Sequence, residues 1–167
     1  LDERYAKQED GLIEKSRDMG VTWLYLAWDI HHWLFDEGFQ ALIGSRKEDL
    51  VDDLNDPSSL FPKVEYIINR LPKWMLPKGY DREKHRKSML IYNPEKGNTL
   101  SGESSNPEFS RQGRYSVIHL DEFAFWQNDF SVWTATADAS PVRFPVSTPH
   151  GEDNKFAELR FNSTINV

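Results

Sequence analysis

The sequence predicts an α/β fold built on a mainly parallel central sheet flanked by helices. Two observations carry that expectation. Short apolar runs of strand length alternate with segments whose apolar residues recur at three and four, and strands joined through helices pair in parallel. With 167 residues, 38% of them hydrophobic and among them six Trp and ten Phe, residues 1–167 are sized for a single domain around one core.

The first strand is expected over Gly11 to Ser16, feeding a turn from Ser16 to Gly20. A helix follows, with Trp23, Leu26, Ala27, Ile30, Trp33 and Leu34 on one face for the sheet. Phe39 to Ile43 reads as a second strand, ended by Gly44-Ser45. Ser45 is the expected cap of a charged stretch through Asp53. Asn55-Asp56-Pro57-Ser58 interrupts it, and Val64, Ile67, Ile68 and Leu71 mark a helix that Pro72 ends. From Lys73 to Lys87 the chain is basic and punctuated by proline, an irregular surface excursion. Met89 to Tyr92 resumes as a strand with Asn98 to Glu103 as its hairpin partner, and Ser104 to Gln112 has the composition of a loop. Tyr115 to Leu120 is the clearest strand. Val132 to Ala139 then reads as a helix, and Val142 to Ser147 and Phe156 to Phe161 read as strands.

Composition excludes several classes of function. Twenty Lys and Arg against 27 Asp and Glu leave a net charge of −7, so the surface is not coated for non-specific nucleic-acid binding and any such contact is local. The absence of cysteine removes a disulfide framework and any Cys-based zinc site. No apolar run approaches the ~20 residues of a membrane span, and no secretory signal precedes the first element. The chain opens at Leu1 and stops at Val167 soon after an expected strand, so it reads as a piece of something longer.

Three segments carry chemistry. The phosphate-loop pattern G-x-x-x-x-G-K-[ST] lies between a strand and a helix, so that backbone N–H groups and the helix N-terminus face phosphates. Lys15-Ser16-Arg17-Asp18-Met19-Gly20-Val21-Thr22 occupies that context. Gly20 and Thr22 match, but Lys15 replaces the first glycine and Val21 the usual lysine. Lys15 or Arg17 can supply the missing charge from the other end of the turn, with Thr22 as hydroxyl ligand of Mg²⁺. The plain alternative is a strand-to-helix turn with two solvated cations.

The second segment, Tyr115 to Glu122, is an apolar strand ending in two carboxylates. In phosphate-loop enzymes the first, here Asp121, serves the Mg²⁺ shell, and the second, Glu122, orients and polarises the attacking water. Against this stands an acidic helix N-terminus with no catalytic task. The third, Val146-Ser147-Thr148-Pro149, ends a strand in two hydroxyls that can sense a γ-phosphate, or is simply a turn. The order of the three, each on its own strand, favours the catalytic reading. Trp126 and Trp133 read as packing residues, His31-His32 as no metal pair, and Lys78, Arg82, Lys84, Arg86 and Lys87 as a solvated face.

These segments resemble the N-terminal packaging ATPase of the large terminase subunit of tailed bacteriophages. Glu14 to Trp23 is similar to the family's deviant Walker A, whose lysine sits at the start of the loop. Gly44 to Asp53, Ile118 to Phe125 and Ser147 to Gly151 look like its following segments, its Walker B and its coupling motif. The resemblance implies a P-loop NTPase fold of the RecA/ASCE-like kind and a motor that hydrolyses ATP with Mg²⁺ to drive double-stranded viral DNA into a procapsid. Implied partners are the portal protein, the small terminase subunit and further copies in a ring, in the host bacterial cytoplasm. Lys15 and Arg17 would contact phosphates within the Lys15–Thr22 loop, Thr22 and Asp121 would serve Mg²⁺, Glu122 would activate water, and Ser147 and Thr148 would couple hydrolysis to movement. Arg111 is placed like the arginine that some terminases insert into a neighbour's site, with Arg114 as the competing candidate. The family's nuclease domain is not encoded in this piece, and adenine contacts from upstream of the loop are short of sequence. Two other readings remain: another phosphate-loop translocase or helicase, and a non-catalytic DNA-binding scaffold, which Val21 keeps open.

Overall fold

A computed structural model describes residues 1–106, 108–111 and 113–161. In chain order the elements are α1 (Asp2–Lys7), β1 (Ile13–Glu14), α2 (Val21–Phe35), β2 (Gln40–Ser45), α3 (Glu48–Val51), α4 (Leu60–Ile68), α5 (Arg82–His85), β3 (Arg86–Lys87), β4 (Leu90–Tyr92), β5 (Thr99–Ser104), β6 (Val117–Asp121), α6 (Asp129–Thr136), β7 (Arg143–Ser147) and α7 (Lys155–Phe161). Short 3₁₀ turns lie at Lys73–Met75 and Phe123–Phe125.

The sheet order is β1-β7-β6-β2-β5-β4-β3. The five strands from β1 to β5 along that order run parallel, and β4 and β3 complete the sheet antiparallel. The expected hairpin of β4 and β5 is present, but β5 also pairs in parallel with β2 and so sits inside the sheet. Alternation along β2 divides the core. Ala41 and Ile43 join Tyr25, Leu26, Trp33, Phe61 and Val64 on the α2–α4 side. Leu42 joins Ile118, Leu120, Trp126, Trp133, Phe156 and Leu159 on the α6–α7 side. Both Trp126 and Trp133 are therefore packing residues. Parallel strands place all their C-terminal ends on one edge, where open α/β sheets bind ligands.

Four expectations are corrected. Phe156 to Phe161 is helical, not a strand. Asn154 caps it, its side-chain oxygen accepting from Ala157 N at 2.9 Å, and Phe156, Ala157 and Leu159 face the core. Ser45 does not cap the charged stretch. It is the last residue of β2, paired with Ser104, and α3 starts only at Glu48. The Lys73–Lys87 excursion contains α5 and β3, and Arg86 within it is no solvated residue. Its guanidinium lies 2.5 and 2.9 Å from the two Asp52 carboxylate oxygens and 3.0 Å from Glu65. Lastly, α2 buries Tyr25, Leu26, Asp29, Ile30, Trp33 and Leu34, and Trp23 and Ala27 are turned out. Asp29 belongs to the buried stripe because His119 of β6 meets it at 3.0 Å with both side chains fully buried.

The Asp52–Arg86 pair anchors β3 beneath α3 and α4, and Asp52 also accepts from Met89 N at 2.6 Å. Only 3% and 5% of the two side chains are exposed, so removing Asp52 leaves the buried Arg86 guanidinium with Glu65 as its remaining carboxylate partner. Asp52→Ala is expected to cost about 2–4 kcal/mol in urea unfolding, below the full penalty of an uncompensated buried charge because Glu65 stays beside Arg86; a loss below about 1 kcal/mol would show that solvent screens the pair.

Candidate active site

The stretch after β1 leaves the sheet in a turn where Asp18 and Gly20 both hold left-handed backbone, at φ 59° and 70°. At Gly20 this conformation costs little, and it turns the chain directly into α2. Lys15 sits just before the turn, its amide hydrogen-bonded to Ser147 O at 3.0 Å, so the end of β1 is fixed against β7. At the end of β6, Asp121 is followed by Glu122 in left-handed backbone at φ 52°. A non-glycine residue in that region carries local strain. The carboxylate pair therefore lies where β6 breaks into the short 3₁₀ turn Phe123–Phe125, which Glu122 precedes as its N-cap residue.

These two breaks face each other. Lys15 Nζ meets Glu122 Oε1 at 2.7 Å, with 9% of the lysine side chain exposed, and Thr22 Oγ1 lies 3.4 Å from Asp121 Oδ1. Burial pushes the Asp121 carboxyl up to about 6; neighbouring Glu122 adds to the rise, while Lys15, Tyr25 and Lys63 oppose it. A divalent cation would favour the ionised form.

A cleft of about 780 Å³ opens over this meeting point, within the range of roughly 300–1,000 Å³ seen for small-molecule sites. Of the expected residues, Lys15, Arg17, Asp18, Met19, Gly20, Val21, Thr22, Asp121, Glu122 and Thr148 line it. Ser16 is exposed and does not. Ser147 is fully buried beneath the cleft, where its hydroxyl accepts from Ala124 N at 3.2 Å and donates to Thr148 O at 2.8 Å. It thereby ties the end of β7 to the turn that follows Glu122. Arg111 lies outside the cleft, exposed and paired with Glu108 at 3.2 Å; Arg114 is exposed and does not line it either. Gln112, between them, falls outside the described residues.

Among the lining residues that sequence reasoning did not assign to the site, three carry a cation or an indole. Lys63 reaches the cleft from α4, donating to Ser58 O. Burial pushes its ammonium below the usual lysine range, with Asp121 and Asp56 opposing. Arg46, just past β2, lies with its guanidinium 6.0 Å from the Phe125 ring centre. Trp23 is the third. Trp23 ends the loop-like stretch and Arg46 follows β2, whereas Lys63 belongs to no local motif and is brought in by the packing of α4. Ser45 Oγ, buried at this cleft, has no hydrogen-bond partner among the described residues.

Comparison with known proteins follows the same outline. The family described as "Terminase large subunit, T4likevirus-type, N-terminal" matches residues 12–159. The crystal structure of the HK97 bacteriophage large terminase is similar over 92% of this chain and 32% of that one, with TM-score 0.62 and 15% identity. A Thermus phage large terminase ATPase domain is similar over 91% of this chain and 63% of its own, with TM-score 0.63 and 19% identity. This chain thus spans about a third of the first protein and less than two thirds of the second. No curated protein matches. At such identities the structural likeness speaks for the α/β fold, while the family rests on the match along the sequence. Residues 12–159 take in the loop, both carboxylates and the hydroxyl strand end, and the chain belongs to the large terminase subunits of the T4-like-virus type, in their N-terminal part.

Proposed function

We propose that this chain is the ATP-hydrolysing part of a motor that drives double-stranded viral DNA into a procapsid. The observation that carries the reading is the convergence of Lys15 on Glu122 and of Thr22 on Asp121 at one cleft. The contact of Lys15 with Glu122 supports the reading that Lys15 supplies, from the start of the loop, the charge that Val21 lacks.

Thr22 and Asp121 suit Mg²⁺, a hard cation that takes oxygen ligands, since a hydroxyl and a buried carboxylate converge there. Bound with ATP, the ion neutralises charge on the phosphate oxygens. Lys15, Arg17 and Lys63 supply further positive charge, and the amides of the Lys15–Thr22 turn face the chain of phosphates. Glu122 orients a water molecule and takes its proton as it attacks. In this structure Lys15 neutralises Glu122. Phosphates compete for Lys15, so binding of ATP frees the carboxylate at the moment its charge is needed. Thr148 faces the cleft and Ser147 joins it to the Glu122 turn, so a change at the phosphates is passed to β7. Double-stranded DNA, the portal protein and the small terminase subunit are the partners the family suggests, with copies arranged in a ring in the host cytoplasm.

Arg111 is assigned to a neighbouring subunit's nucleotide. It is exposed and, among the described residues, paired with Glu108 at i,i+3, a contact worth little and easily exchanged. Such a residue typically contributes ~10³–10⁵ in rate, so isolated subunits should idle. Rings of Arg111→Ala subunits and rings of Glu122→Gln subunits should each be inactive, and mixtures should regain turnover wherever an intact Arg111 faces an intact Glu122. No rescue in mixed rings shown to assemble would contradict the assignment. The motor itself is tested by nuclease-protected DNA in procapsids: protection is expected with ATP and not with a non-hydrolysable analogue, and equal protection with both would refute it.

A further inference from the structure

Trp23 directly follows Thr22, and its indole lines the same cleft. It is 39% exposed, although the helix that carries it buries Tyr25, Leu26 and Trp33. The ring is nonetheless fixed in place. Tyr66 of α4 meets it at 5.4 Å between ring centres with the planes at 69°. Tyr66 is backed in turn by Arg70, whose guanidinium sits 3.3 Å from the tyrosine ring centre and donates to Tyr66 O at 3.2 Å. An edge-to-face contact leaves much of an indole uncovered, and Trp23 is both 39% exposed and among the residues that line the cleft.

Of the charged lining residues, Lys15, Asp121 and Glu122 gather at the strand ends, where they meet one another; Arg17, Asp18, Arg46 and Lys63 line the cleft as well. The lining also includes apolar Met19, Val21 and Leu60. A chain of phosphates makes no use of an indole; a flat heterocycle does. We infer that Trp23 is the platform on which the base of the bound nucleoside triphosphate stacks, steadied by Tyr66 and Arg70. This rests on the nucleotide reading above and adds to it the place of the base, downstream of the phosphate loop in sequence and contributed by α2 and α4. Stacking is tolerant of base identity because every base has a π-face, so ATP and GTP are expected to use the platform alike.

The test compares ATP, GTP and inorganic tripolyphosphate binding, with Mg²⁺ present, by calorimetry on the unsubstituted protein and on Trp23→Ala, Trp23→Leu and Trp23→Phe. Tripolyphosphate has no base and reports on the phosphate loop alone. The expected result is a loss of ~5- to 150-fold in affinity for both nucleotides in Trp23→Ala and Trp23→Leu, the span of base–aromatic stacking. Affinity for tripolyphosphate should stay unchanged, and Trp23→Phe should keep most of the nucleotide affinity. Retained tripolyphosphate binding also certifies that each variant is folded. Equal loss for nucleotide and tripolyphosphate would overturn the inference, assigning Trp23 to the shape of the loop; so would no loss at all. If the unsubstituted protein bound none of the three, the nucleotide reading itself would fall.

Discussion

Lys15→Ala is expected to abolish ATP hydrolysis in the intact protein, whereas Val21→Ala is expected to leave it close to normal. The loss expected is at least ~10³-fold, the scale on which groups that neutralise transition-state phosphate charge act. Lys15 is the only cation among the described residues seen in contact with Glu122, at 2.7 Å, and its side chain is 9% exposed, so its charge is presented in a poorly solvated place where it counts most. Arg17 is exposed at the turn, and Lys63 enters from another helix; neither sits where the strand end holds Lys15. Val21 occupies the position that carries lysine in the ordinary phosphate loop, yet its side chain packs against the core beneath α2. Steady-state phosphate release from the two variants decides the matter. Near-normal turnover in Lys15→Ala with Arg17 intact would remove Lys15 from the mechanism.

Glu122→Gln should separate binding from chemistry. The substitution keeps the shape of the side chain and deletes the charge that polarises water, so turnover falls by ~10²–10⁴, the usual worth of a positioned general base. Affinity for ATP should be unchanged or somewhat tighter, because Lys15 no longer has to leave an ion pair to reach phosphate. Asp121→Asn behaves differently. Asp121 lies beside Thr22 and is raised to about 6 by burial and by Glu122, so losing its charge weakens the Mg²⁺-dependent part of binding. Nucleotide affinity measured with and without Mg²⁺ tells the two apart, and equal loss of affinity in both variants would mark the pair as structural.

Much of this arrangement was legible in the sequence. Strand-length apolar runs alternating with helical periodicity were enough for the parallel sheet, and Gly20 with Thr22 after a strand, and Asp121 with Glu122 at the end of another, were enough for the two sides of the cleft. What escaped has a common cause. Asp29 looks like a solvent-facing residue until His119, ninety residues away, is placed against it, and so the buried stripe of α2 was read to include Trp23. Arg86 looks solvated until Asp52 and Glu65 close around it. Lys63 and Arg46 reach the cleft only because α4 and the end of β2 pack beside the loop. The Phe156–Phe161 helix turns on a cap, Asn154, that composition alone does not distinguish from the polar loop before it. Local rules report periodicity and turn chemistry; partners distant in the chain set burial and charge.

The most direct test of the central claim is the rate of phosphate release from Mg²⁺-ATP by the intact protein with double-stranded DNA, measured beside Glu122→Gln at saturating nucleotide. The account predicts turnover by the unsubstituted protein and its near-complete loss in the variant, although both bind ATP. Undiminished turnover in Glu122→Gln, or no turnover by assembled unsubstituted protein, would contradict it.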